Sequence, residues 1–197
     1  MKKIVILVGC LAALTAVRGD LIPSYVGTGI SGNTNVWNYD LHLAVNTEVT
    51  SGDFFTIYDF GPFIAGSNSQ PGGWTFSSLL LTPPPSGVTP PDNPTLENLT
   101  WTYNGPTISI PPGIPPQSIG LFSVSTVGVQ PQLSLRLSYF AGQATNAISG
   151  PANGTKLNNV GQISVPQPVP VPEPATVSLF ALGAAGAALR ALRRRRE

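Results

Sequence analysis

Apolar and polar side chains alternate in several short runs along the middle of the chain. Tyr39, Leu41, Leu43 and Val45 interleave with Asp40, His42 and Ala44, the period-two pattern of a strand with one face in a core. The run from Asp53 to Phe60 has aromatics on both faces, so it is expected to be a central strand covered on both sides. Trp74 to Leu81 is a third run. Leu96 to Tyr103 returns to alternation, with Leu99, Trp101 and Tyr103 opposite Asn98, Thr100 and Thr102. Asn104-Gly105 then predicts a tight hairpin to a returning strand over Thr107 to Ile110. Ile119 to Val127 and Leu133 to Phe140 follow. In the latter, Leu133, Leu135, Leu137 and Tyr139 form one stripe and Ser134, Arg136, Ser138 and Phe140 the other. A weak strand near Gly161 to Val165 closes the series. Between these runs stand turn-forming clusters, the longest being the proline-rich stretch from Pro83 to Pro94, which lacks the N–H groups a ladder needs and reads as a polyproline-type loop. Eight or nine such strands predict an all-β fold, an antiparallel β-sandwich of jelly-roll or Ig-like type.

Both ends depart from this pattern. Met1-Lys2-Lys3 precedes an apolar stretch from Ile4 to Ala16, which fits a secretory signal peptide cleaved after Gly19, or alternatively after Ala16. Leu7-Val8-Gly9-Cys10 has the outline of a lipoprotein box, but only about six apolar residues precede it, short of the usual h-region. At the other end, residues 166–174 are a proline-rich stalk, semi-rigid at about 3.1 Å per residue. Residues 175–192 follow as an apolar helix broken only by Thr176, Ser178 and Arg190. At 1.5 Å per residue those eighteen positions reach about 27 Å, enough to span a bilayer with local thinning while Arg190 snorkels. Arg190, Arg193, Arg194, Arg195 and Arg196 stand on one flank only and act as a stop-transfer signal. They place residues 193–197 in the cytoplasm and the preceding domain outside.

Removing the two ends changes the charge. The whole chain is close to neutral, yet residues 20–170 contain only Arg136 and Lys156 against seven acids, five net negative charges. That balance excludes nucleic acid and disfavours anionic surfaces as partners of the domain. Leu, Ile, Val and Phe make up about 27% of this segment, above the level of disordered chains. Its lack of cysteine means that the core alone must hold it.

Taken together, Val171-Pro172-Glu173-Pro174, the small-residue span and the terminal arginines resemble the PEP-CTERM sorting signal of exported Gram-negative surface proteins. The resemblance covers residues 171–197. It implies an exosortase-type membrane enzyme acting at the Pro-Glu-Pro motif, with Val171, Pro172, Glu173 and Pro174 as the sorting motif. It further implies delivery by the Sec translocon and signal peptidase, transient anchoring in the inner membrane, and a final place at the cell surface or in the extracellular matrix. It implies no activity for the domain.

The domain's own residues suggest none either. Its single histidine, His42, lies two residues from Asp40 on the polar side of a strand, where a solvated or capping role is expected. Asp53 and Asp59, six residues apart along a strand, should be about 20 Å from each other, too far for paired-carboxylate chemistry. No Asp-x-Asp-x-Asp run marks a calcium loop, and no catalytic residue, metal or cofactor is expected. The chain thus reads as a non-enzymatic exported protein. The alternative is a carbohydrate-binding module for exopolysaccharide, with Trp74 as the candidate ligand-binding residue: it follows Pro71-Gly72-Gly73 and is expected to be exposed, whereas Trp101 is expected in the core.

Overall fold

The computed structural model describes residues 21–111, 113–127, 135–148 and 150–167. Among these residues there are ten strands and no helix: β1 (Leu21–Ser31), β2 (Thr34–Leu43), β3 (Thr47–Val49), β4 (Phe54–Ile57), β5 (Trp74–Leu79), β6 (Asn98–Tyr103), β7 (Ile108–Ser109), β8 (Gln117–Val127), β9 (Leu135–Asn146) and β10 (Lys156–Pro166). The all-β antiparallel expectation is met. A three-stranded sheet has the order β1-β2-β8, and a seven-stranded sheet the order β5-β6-β4-β9-β3-β7 with β10 also paired to β9.

One apolar core lies between the sheets. From the smaller sheet come Trp37, Tyr39, Leu41, Phe122 and Val124; from the larger come Phe55, Ile57, Leu99, Trp101, Phe140, Ile163 and Val165. β2 shows why the alternation works, since every second residue from Asn35 to Leu43 is buried and the residues between them are not. Burying that many aromatic and branched side chains supplies the main stabilisation of a domain without disulfides.

β9 organises the larger sheet. β10 runs antiparallel to it from Lys156 opposite Thr145 to Pro166 opposite Leu135. Its other edge is shared by β4, opposite Phe140 to Gln143, and β3, opposite Thr145 and Asn146. β4 is central and buried on both faces, as expected, but is only four residues long because Asp59 adopts a positive φ of 52° and turns the chain. The larger sheet curls until β10 reaches β1, where Asn159 Nδ2 donates to the Leu21 carbonyl at 3.2 Å. Gly142 makes that approach feasible. A Cβ built there would lie 2.5 Å from the Leu21 carbonyl oxygen and 2.6 Å from Asn159 Oδ1. Gly142→Ala is therefore expected to destabilise the domain by about 1–3 kcal/mol, the usual cost of overpacking, read as a lower urea midpoint with unchanged slope.

Several sequence expectations are corrected. The Asn104-Gly105 hairpin does not form: neither residue takes a positive φ, and β7 pairs with β3 rather than with β6. Both edges of β6 are already occupied by β5 and β4. Asn104 N donates instead to the Gly73 carbonyl at 2.7 Å, and the Tyr103 hydroxyl closes on the Pro106 carbonyl. β1 and β3 lie where no strand was expected. Of the two stripes on β9, the one with Ser138 and Phe140 faces the core. Leu135 and Leu137 are exposed while Ser138 and Phe140 are buried. Register decides this, because Phe140 and Ala144 fill the core together with Ile163 and Val165 from β10.

The proline-rich loop after β5 is not a free excursion. Thr56 and Asn98, on the outer face of the large sheet, are fully buried, and Pro85 of the loop is buried as well. Asn98 Nδ2 donates to Asp92 Oδ1 at 2.9 Å and Asn158 Nδ2 to the Ser86 carbonyl at 2.8 Å. The loop is a strap from the β6 side across to β10, held by side-chain hydrogen bonds because its prolines cannot join a ladder.

The edge of β8 is also covered. Ser69 and Ser123 exchange backbone hydrogen bonds at 2.8 Å, and Ile64 N donates to the Ser125 carbonyl. This pairing occupies groups that would otherwise be open to another strand.

Candidate functional site

His42 lies on the outer face of the small sheet, its Nε2 3.5 Å from Asp40 Oδ2, and the Ser118 hydroxyl bonds the other oxygen of the same carboxylate. Serine, histidine and aspartate thus meet, but in an order unsuited to nucleophilic catalysis. The carboxylate stands between the hydroxyl and the imidazole, whereas a general base must itself hold the hydroxyl. The cluster is a surface cross-strand link between β2 and β8.

Trp74 is not exposed. Only 6% of it is accessible, because β5 turns it inward against Phe55, Tyr103 and Phe122 at ring separations of 5.8, 5.0 and 5.1 Å. The preceding Gly72-Gly73 turn brings the chain against Tyr103 instead of lifting the indole into solvent. Trp101 is in the core as expected, stacked on Phe55 at 4.9 Å, and Trp37 is buried beside Phe60. None of the three tryptophans offers a face to a sugar.

Asp53 and Asp59 flank β4 at its two ends, and each is engaged separately. Asp59 N donates to Asn98 Oδ1 at 2.6 Å, and its carboxylate accepts from Asn93 N at 2.8 Å. Asp53 is fully buried in the jog between β3 and β4. Its Oδ2 accepts from the Thr50 amide and hydroxyl and from the Thr145 hydroxyl, at 2.8, 3.0 and 2.8 Å. Its Oδ1 accepts from Lys156 Nζ at 2.7 Å. Lys156 also reaches both threonine hydroxyls and is itself 40% exposed. Sequence reading missed this network. The available signal was only that Lys156 is one of two bases between residues 20 and 170.

The other base, Arg136, points along the core side of β9, where Nε donates to the Pro166 carbonyl at 3.1 Å. Burial lowers its pKa, while Asp59 and Tyr39 act in the opposite direction. Burial also pushes the Tyr58 hydroxyl up to about 12, with the Asp92 charge adding to the effect. Tyr39 is raised by burial as well, and its hydroxyl donates to the Ser164 carbonyl across the core. Both phenols are neutral at neutral pH and cannot serve as bases there. Among the described residues no three His, Cys, Asp or Glu come together to hold a metal ion.

The residues expected to carry the sorting chemistry, Val171 to Pro174 and the arginines from Arg190 to Arg196, lie outside the described residues, as do residues 1–19 and the expected span 175–192. Among the described residues no helix is long and apolar enough to cross a membrane.

Comparison with curated proteins gives no match. Among solved structures the chain is similar to "Structure of the N-terminal domain of PorA" at 10% identity and a TM-score of 0.29, over 76% of this chain and 87% of that one. The family description PEP-CTERM protein-sorting motif matches residues 170–196. That match contains the Pro-Glu-Pro tripeptide, the apolar run and the arginines in their expected order, so the chain is a protein that carries a PEP-CTERM sorting motif behind its β domain.

Proposed function

We propose that this chain is a non-enzymatic cell-surface or extracellular-matrix protein, exported through the Sec translocon and cleaved by signal peptidase behind residue 19. An exosortase-type membrane enzyme then processes it at Val171-Pro172-Glu173-Pro174. The observation carrying this reading is the sorting motif at residues 170–196. In this scheme residues 175–192 hold the product in the inner membrane, with residues 193–197 in the cytoplasm, until processing releases the β domain, which we take to be a β-sandwich. The absence of a role for an enzyme is supported by the order of contacts at Ser118, Asp40 and His42, where the carboxylate occupies the base's place. An exopolysaccharide partner draws no support from the tryptophans, which are all in the core.

Intact-mass analysis of the protein from membrane, surface and medium fractions of an exosortase-bearing host tests the proposal. The surface or medium product is expected to begin near Asp20 and to lack the arginine tail. A variant combining Glu173→Ala with Pro174→Ala is expected to accumulate unprocessed in the membrane fraction. Recovery of the intact 197-residue chain in the soluble cytosol overturns export and sorting together.

A further inference from the structure

The sheet edges of this domain are guarded, with one exception. In the small sheet, β8 is paired to Ser69 and Ile64, and β1 contains Pro23 and a bulge between Tyr25 and Gly27. In the large sheet, β7 is two residues long and stands between Pro106 and Pro111. β10 carries Lys156, ends at Pro166 and lies against β1 through Asn159. Short length, prolines, bulges and charges are the devices that keep an edge from recruiting another strand. β5 has none of them. Its six residues, Trp74 to Leu79, include no proline and no charge, follow β6 without a bulge, and among the described residues have a ladder partner on that side only. The edge runs out through consecutive exposed leucines, with Leu79 54%, Leu80 48% and Leu81 59% accessible.

The register of the β5-β6 ladder fixes which main-chain groups this edge offers. Trp74 pairs with Tyr103, so Gly73 stands opposite Asn104, and Asn104 N donates to the Gly73 carbonyl at 2.7 Å. Odd-numbered residues of β5 therefore bond toward β6, because main-chain groups alternate sides along a strand. Trp74, Phe76 and Ser78 direct their N–H and C=O groups outward. Side chains alternate independently, between the two faces of the sheet: Thr75, Ser77 and Leu79 are on the exposed outer face, and Trp74 and Phe76 are on the inner one.

We propose that β5 pairs antiparallel with β5 of a second copy of this chain, about a two-fold axis at Ser77, joining the two large sheets into one. The outward groups and the leucines select that register. An axis at Ser78 would need Leu80 and Leu81 to continue as strand, whereas the chain bends there. An axis at Phe76 would leave Leu79 opposite Gly73. With the axis at Ser77, Phe76 of each copy exchanges N–H and C=O groups with Ser78 of the other. Leu79 then lies across from Thr75, and Leu80 falls opposite Trp74. The second copy is the fitting occupant because β5 is uncharged. Like charges directly opposite each other destabilise a strand pair, and two copies of this segment bring none together. A contact in which the same patch serves both partners closes on itself as a dimer.

Disulfide cross-linking of the full chain in detergent, with Cys10→Ser as background, tests the pairing and its register. Ser77 would face its own copy, and Thr75 would face Leu79, at positions of the pair without mutual hydrogen bonds. Such positions bring Cα atoms to about 4.5 Å, within disulfide reach. Ser77→Cys chains are expected to form a disulfide-linked dimer on mild oxidation. Thr75→Cys chains mixed with Leu79→Cys chains are expected to cross-link, and neither to do so alone. Adding Ser77→Lys to both members of that mixture should lower its cross-linked yield roughly fivefold, and Lys in one member with Glu in the other should restore it. Ile148→Cys, at an exposed loop residue, is the control for random collision. The proposal is overturned if Ser77→Cys chains remain monomeric, or if Ile148→Cys chains cross-link equally fast. Self-cross-linking of Thr75→Cys chains in preference to the mixture overturns it too, as does a yield that falls with Lys at 77 and is not restored by the Lys and Glu combination.

Discussion

Replacing Phe122 by alanine is expected to lower the stability of the β domain by about 3–5 kcal/mol, the usual range for removing a fully buried phenyl ring. Phe122 comes from β8 of the small sheet and meets three aromatics of the large one edge-on: Phe55 at 5.0 Å, Trp74 at 5.1 Å and Trp101 at 5.7 Å. It is therefore the side chain through which the two sheets share most of their aromatic contact. Its loss leaves a cavity that the sheets cannot close without breaking backbone ladders, and edge-to-face pairing worth about 0.5–1.5 kcal/mol per partner is forfeited with the buried area. Domains of this size are stable by only about 5–15 kcal/mol, so the variant should show a large drop in urea midpoint. Phe122→Leu, which fills most of the volume, is expected to cost less than about 1.5 kcal/mol. A loss below about 1 kcal/mol for Phe122→Ala would mean that the sheets do not pack through this ring.

Asp53→Ala should have the next largest effect, about 2–4 kcal/mol. The change strips four hydrogen-bond donors of a fully buried acceptor: the Thr50 amide, two threonine hydroxyls and the partly solvated Lys156 ammonium. Leaving such donors unmade is costlier than the net gain of having made them. The converse change, Lys156→Met, should cost no more than about 1 kcal/mol, because that ammonium is partly solvated and surface-type pairs contribute little. The asymmetry is the test. Equal losses from the two variants in urea unfolding would show that the ion pair itself, rather than the buried carboxylate's role as an acceptor, holds the β3-β4 jog to β9 and β10.

What was legible in the sequence depended on how local its cause was. Tyr39, Leu41 and Leu43 could be assigned to a core face because period-two alternation and burial have the same origin, and Leu99, Trp101 and Tyr103 likewise. The Asn104-Gly105 signal failed because the turn preference of two residues was outweighed by the ladder partners already flanking β6. The alternation of β9 did not say which stripe is buried: Leu135 and Leu137 have the stronger apolar pattern, but Phe140 and Ala144 further along the strand set the register, and one register fixes every side chain. Trp74 was misplaced because Gly-Gly before an aromatic suggests a loop tip, and only the distant Tyr103 and Phe122 determine that the turn folds inward. The Asp53 network joins residues about a hundred positions apart, and no spacing rule connects them. By contrast the sorting motif depends on nothing but sequence order, and it was readable in full.

The position of β9 in the chain also governs when the domain can become itself. This strand contacts β3, β4 and β10, yet it begins only at Leu135, so the first two-thirds of the polypeptide contains the rims of the large sheet without its axle. Contacts of such long sequence separation form slowly, because loop-closure entropy must be met before they reward it. A nascent chain is thus kept loose by its own topology, and the large sheet can close only once the segment just ahead of the sorting motif has been made.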